Sequence, residues 1–128
     1  MNLPHSFAVC LGCIDGRTIE PVFNWAKANY RIVYVDRVNR PGMDKFLCSA
    51  AEKDLEKVKE ELFVSLKHHK AKPVLVCGHS ECAGNPVSAE EHKKHITQAC
   101  DIVRSWLPLD IKIIGIFLNE SWEVEEVV

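Results

Sequence analysis

Two short segments of this chain carry residue types that can do metal chemistry. Cys13-Ile14-Asp15-Gly16-Arg17 sets a thiol, a carboxylate and a guanidinium at alternate positions. Gly78-His79-Ser80-Glu81-Cys82 sets an imidazole and a second thiol three positions apart. Two thiolates and an imidazole suit Zn2+, which takes sulfur and nitrogen ligands in a tetrahedron. Three protein ligands leave a fourth position open, the arrangement of a catalytic ion rather than a structural one. Asp15 follows Cys13 closely enough to reach either the ion or a water on it. Arg17 decides between the two, because a bidentate guanidinium–carboxylate pair would hold Asp15 off the metal.

Distant segments meet only if the fold brings them together. Each follows an apolar run, Phe7 to Leu11 and Pro73 to Cys77, and each run reads as a buried strand. Arg31 to Val35 and Ile111 to Leu118 read as two more strands. A helix is expected over Thr18 to Tyr30, with Pro21 in its first turn. A long helix is expected over Asp44 to His69, where Leu47, Ala51, Leu55, Val58, Leu62 and Leu66 recur at helical spacing. Ser88-Ala89-Glu90-Glu91 is a capping box opening a third helix, and Pro108 stops it. An acidic tail follows Leu118.

This order predicts an α/β fold: a three-layer α/β/α arrangement around a central, mostly parallel four-stranded sheet of order 2-1-3-4. If strands one and three are neighbours whose helices leave on opposite faces, the two segments meet in the crevice at the strand ends. With no repeat, linker or low-complexity stretch, residues 1–128 read as one domain.

Composition removes several function classes. Sixteen Lys+Arg against eighteen Asp+Glu give a net charge of −2, so no basic surplus is available for nucleic acid. No apolar run approaches the ~20 residues that cross a bilayer, so no membrane partner is expected. The first residues, Met1 to Ser6, lack the regions of a secretory leader. A cytoplasmic chain is expected, in which the six cysteines stay reduced and are metal ligands, catalytic thiols or small core residues rather than a disulfide framework.

Taken together, Cys13-x-Asp15-x-Arg17 and His79-x-x-Cys82 resemble the signature of the β-class carbonic anhydrases. Val76-Cys77-Gly78 leading into His79 resembles that family's strand before its histidine, and the loop from Asp36 to Gly42 lies where the family has a second Gly-bearing loop. The resemblance implies that Cys13, His79 and Cys82 hold Zn2+ and that Asp15 and Arg17 form a catalytic pair. It implies reversible hydration of carbon dioxide to bicarbonate by a zinc-bound hydroxide, in a homodimer or higher homo-oligomer. Strand one comes so early that the family's N-terminal helical arm is not expected. Its glutamine near the substrate has no counterpart, and Ala83 follows Cys82 where glycines are usual. Two other outcomes belong to the same residues: a zinc-binding domain without turnover, and hydrolysis of carbonyl sulfide or carbon disulfide.

Rival readings are weaker. Cys10 and Cys13 form a Cys-x-x-Cys pair, but Cys10 lies within the apolar run, where a thiol is inert core. The spacing from Cys10 to Arg17 is too long for a tyrosine phosphatase loop. A hydrolase nucleophile elbow needs glycine where Cys82 stands. His92 and His95 share a helix face and read as a solvated first turn. Trp25, Trp106 and Trp122 fit core or surface equally.

Overall fold

The computed structural model describes residues 6–128. The readings of residues 1–5, that they carry neither secretory leader nor helical arm, lie outside the described residues. The elements are β1 (Phe7–Gly12), α1 (Ile19–Tyr30), β2 (Tyr34–Asn39), α2 (Met43–Ser49), α3 (Glu52–His68), β3 (Val74–His79), α4 (Ala89–Arg104), β4 (Ile113–Leu118) and β5 (Val124–Glu126).

Alternate residues of a strand point to opposite faces of a sheet, and here both faces are apolar. Val9, Leu11, Val74, Val76 and Phe117 lie in one buried cluster; Ala8, Cys10, Leu75, Cys77, Ile114, Ile116 and Leu118 lie in another. A sheet of this kind must be covered on both sides. Val22 and Ala26 of α1 complete the second cluster. Leu47 of α2, Val58 and Leu62 of α3, and Ile96, Ala99 and Val103 of α4 complete the first. The result is the expected three-layer α/β/α architecture, and no helix among the described residues is long and apolar enough to cross a membrane.

The strand order is β2-β1-β3-β4-β5. The first four strands are parallel and ordered as expected. The four-strand count is corrected to five, because the acidic tail folds back as β5, antiparallel to β4, with Val124 opposite Leu118 and Glu126 opposite Ile116. Asn119 makes that reversal. Its Oδ1 accepts from the backbone N–H groups of Ser121 and Glu123. Glu125 is paired to Lys93 Nζ at 2.8 Å and accepts from Asn119 Nδ2 at 2.9 Å. These partners hold its carboxyl below the usual range, with the Lys93 bond the largest cause. One charge of the expected acidic tail, that of Glu125, is thus paired on an edge strand.

Three other expectations change. The single long helix is two, α2 and α3, parted at Ala50 and Ala51, which are both extended (ψ 156° and 151°). Both helices cover the same face, so the apolar spacing runs on across a break it cannot reveal. β2 starts three residues later than expected, because Arg31 ends α1 in the left-handed region at φ 54°. His92 is not solvated: it is 1% exposed, with Nδ1 2.6 Å from Asp44 Oδ2.

Leu62 is fully buried in the cluster under α3 and is none of the chemistry-bearing residues. Truncating such a leucine costs about 2–5 kcal/mol through lost transfer energy and the cavity left behind. Leu62→Ala is expected to lower the urea midpoint accordingly with an unchanged slope. A loss under ~1 kcal/mol in that titration would mean α3 is not packed as described.

Candidate metal centre

Cys13 is the first residue beyond β1 and His79 is the last of β3, and these strands are parallel neighbours. The chain then leaves β1 for α1 on one face and β3 for α4 on the other. That divergence opens a crevice at the strand ends, and both loops border it. Cys82 returns to the crevice because Glu81 takes a left-handed conformation at φ 57°. The two sulfurs and a ring nitrogen of His79 lie within 4.8 Å of one another, and all three residues are buried. The Sγ atoms of Cys13 and Cys82 are 3.8 Å apart. Chain segments nearly seventy positions apart thus converge as expected; the first half of Cys-x-x-Cys does not join them, since Cys10 sits in the core beneath α1.

The chemistry of this donor set fits a divalent ion. His79 Nδ1 lies 2.7 Å from the carbonyl oxygen of Ser80. A carbonyl only accepts, so Nδ1 donates its proton and Nε2 is left with a lone pair. That Nε2 is buried and has no hydrogen-bond partner among the described residues, a state that costs free energy unless something accepts the lone pair. Burial, and then the neighbouring Cys13 sulfur, push the Cys82 thiol up to about 11. The backbone N–H groups of Asn85 and Gly84 pull the other way, and Gly42 N–H points at Cys13 Sγ at 3.5 Å. Two buried sulfurs this close favour their ionised forms only with a cation between them.

Beside the sulfurs stands the acidic–basic pair. Asp15 caps a single 3-10 turn, Gly16–Thr18, by accepting Arg17 N–H at 2.9 Å. The Arg17 side chain turns back onto the same carboxylate, donating Nε–H to Oδ1 at 3.1 Å and Nη2–H to Oδ2 at 2.7 Å. Arg17 therefore lowers the Asp15 carboxyl to about 2, chiefly through these side-chain bonds and then through its backbone N–H. Asp15 raises the guanidinium in return. Asp15 Oδ2 lies 4.0 Å from His79 Nε2, at the rim of the three-donor group.

Two further residues reach this pair. Arg17 Nη1 donates to Glu81 Oε1 at 3.1 Å, so one guanidinium spans both loops. Trp122 lies against it, with Arg17 Cζ 4.7 Å from the ring centroid, and also stacks on His79 at 5.9 Å and 30°. Glu81 lies inside the His79-x-x-Cys82 spacing, in a slot the spacing does not specify. Trp122 comes from the β4–β5 turn, and without β5 the sequence offers no signal that places it here.

Fold and site together define an α/β protein with a buried thiol–imidazole centre at the switch point of a parallel sheet. A family model described as "Putative carbonic anhydrase" matches residues 3–128, and the chain belongs to that family. No curated protein matches it. Among solved structures it is similar to the β-carbonic anhydrase CafA of Aspergillus fumigatus, with TM-score 0.57, 14% identity, and 95% of this chain and 75% of that one covered. It is similar to one of two tetrameric β-carbonic anhydrases from Sordaria macrospora (TM-score 0.51, 16% identity, 95% and 81% covered). It is also similar to the β-carbonic anhydrase CcaA (TM-score 0.54, 13% identity, 94% and 79% covered). At these identities the likeness is one of fold.

With Cys82 raised to about 11, its proton is on at pH 7 and would have to leave for the sulfur to bind a metal. Apparent zinc affinity is expected to rise about tenfold or more per pH unit between pH 6 and 8. Calorimetry in buffers of different ionisation enthalpy should count at least one proton released per ion. A pH-independent affinity would show that Cys82 is not a ligand.

Proposed function

We propose that this protein is a zinc-dependent carbonic anhydrase, hydrating carbon dioxide reversibly to bicarbonate and a proton. The observation that supports it most is the buried meeting of Cys13, His79 and Cys82 beside an Asp15 held by Arg17. Cys13, His79 and Cys82 would hold Zn2+. Bound there, the ion supplies Lewis acidity that makes hydroxide available near neutral pH. Asp15, ionised throughout the neutral range, accepts a hydrogen bond from the attacking water and turns its lone pair toward carbon dioxide. Arg17 keeps both Asp15 oxygens engaged, so the carboxylate does not swing onto the donor group. Trp122 covers the guanidinium and the His79 ring from one side.

In this reading residues 1–128 work as one domain in the cytoplasm, where thiols stay reduced. Copies associate, as the tetrameric description of one structural relative supports. The rival reading is a zinc domain without turnover, and the 4.0 Å from Asp15 Oδ2 to His79 Nε2 favours it. A carboxylate that near can close the site if Arg17 releases it.

Metal analysis with a stopped-flow carbon dioxide assay separates the readings. One zinc per chain with turnover is expected, and Arg17→Ala should keep the zinc while losing about 100-fold or more in kcat. Zinc without turnover from mildly acidic to alkaline pH would establish the binding domain instead. Parallel assays on carbonyl sulfide and carbon disulfide, which the same nucleophile attacks, identify the substrate.

A further inference from the structure

Behind the metal centre lies a second buried polar cluster that the proposed chemistry does not use. Asp44, in the first turn of α2, is 1% exposed; Asn85 is 0% and His92 1% exposed. Burying an ionisable carboxylate is costly unless it is fully paired, and Asp44 is paired on both oxygens. Oδ1 accepts from Asn85 Nδ2 at 3.1 Å and from Lys45 N–H at 3.0 Å. Oδ2 accepts from His92 Nδ1 at 2.6 Å. Asn85 Nδ2 also meets His95 Nδ1 at 2.9 Å, so the cluster is anchored to the first turns of α4.

The partners of Asp44 belong to the segments that carry the three donors. Gly42, two residues before Asp44, sends its N–H to Cys13 Sγ. It sits at φ 57°, and a Cβ there would lie 2.6 Å from the carbonyl carbon and oxygen of Gly84. The loop that touches Cys13 is thus pressed against the loop that bears Cys82. Asn85 closes that second loop, its N–H reaching the Cys82 carbonyl at 3.3 Å. Asp44 Oδ2 also fills the space a Cβ on Gly78 would need, 2.8 Å away, directly before His79.

We propose that Asp44 is a positioning residue for the metal centre: by binding Asn85 and His92 it clamps the β2–α2 loop, the end of β3 and the Cys82 loop together, and so fixes the separation of the two sulfurs. It acts through hydrogen-bond geometry and touches neither ion nor substrate. The inference rests on the reading of Cys13, His79 and Cys82 as metal ligands, but the spacing of the sulfurs can be read without a metal.

The test uses Asp44→Ala, Asp44→Asn and Asn85→Ala in the full chain, with Leu62→Ala as a destabilised control. Zinc affinity is measured by chelator competition where all are folded. Metal-free protein is treated with phenylarsine oxide, which bridges two neighbouring thiols, and the bridged residues are found by mass spectrometry. Asp44→Ala and Asn85→Ala are expected to lose about tenfold or more in zinc affinity and to bridge Cys13 to Cys82 several-fold more slowly. Asp44→Asn keeps an acceptor for Asn85 and should recover most of both. Leu62→Ala should change neither. If Asp44→Ala does not fold, Asn85→Ala decides. Affinity and bridging within twofold of the unchanged protein in the alanine variants would overturn the proposal. Bridging in the unchanged protein without zinc binding would sink the metal reading alone, and slower bridging in the variants would still uphold the clamp.

Discussion

β1 and β3 run parallel and adjacent, Val9 opposite Val74 and Leu11 opposite Val76, and this pairing puts the residue after β1 beside the residue ending β3. It is enforced by burial on two faces, since each strand contributes side chains to both apolar clusters. A one-residue slip would exchange a strand's side chains between the two clusters and would shift Cys13 relative to His79. The hydrophobic effect thus does indirectly what no local bond does: it gathers two sulfurs and a ring nitrogen into one buried group.

That group is costly in isolation, and the structure around it is arranged accordingly. The Ser80 carbonyl fixes the tautomer of His79, backbone N–H groups lean on the sulfurs, and Asp15 is held at the rim by a guanidinium that also bonds Glu81. Arg17 is half-exposed, so its ion pair with Asp15 contributes little to folding. Its weight lies in orientation, through two parallel bonds to one carboxylate. Asp44 differs: it is wholly buried and satisfied on both oxygens, and it joins loops rather than reaching into the crevice.

Much of this is written in local sequence. Strand runs such as Val74 to Cys77 are apolar throughout, and the spacings of Cys13, Asp15 and Arg17, and of His79 and Cys82, are short enough to read as units. What escapes is what depends on partners far along the chain. The extended pair Ala50 and Ala51 is hidden because the helices on either side bury the same stripe. β5 is hidden because Glu125 is paired with Lys93 and bonded by Asn119 Nδ2, contacts absent from any short window. Trp122 is hidden with it, since only the β4–β5 reversal carries it to Arg17 and His79. His92 looks solvated from its helix, yet Asp44 on another helix draws it inside.

X-ray absorption at the zinc edge of the purified, zinc-loaded protein tests the central claim most directly. The account predicts two sulfur scatterers near ~2.3 Å and at least one nitrogen near ~2.0 Å, with one sulfur lost in Cys13→Ser and the other in Cys82→Ser. A shell without sulfur, or one that Cys13→Ser leaves unchanged, would contradict it.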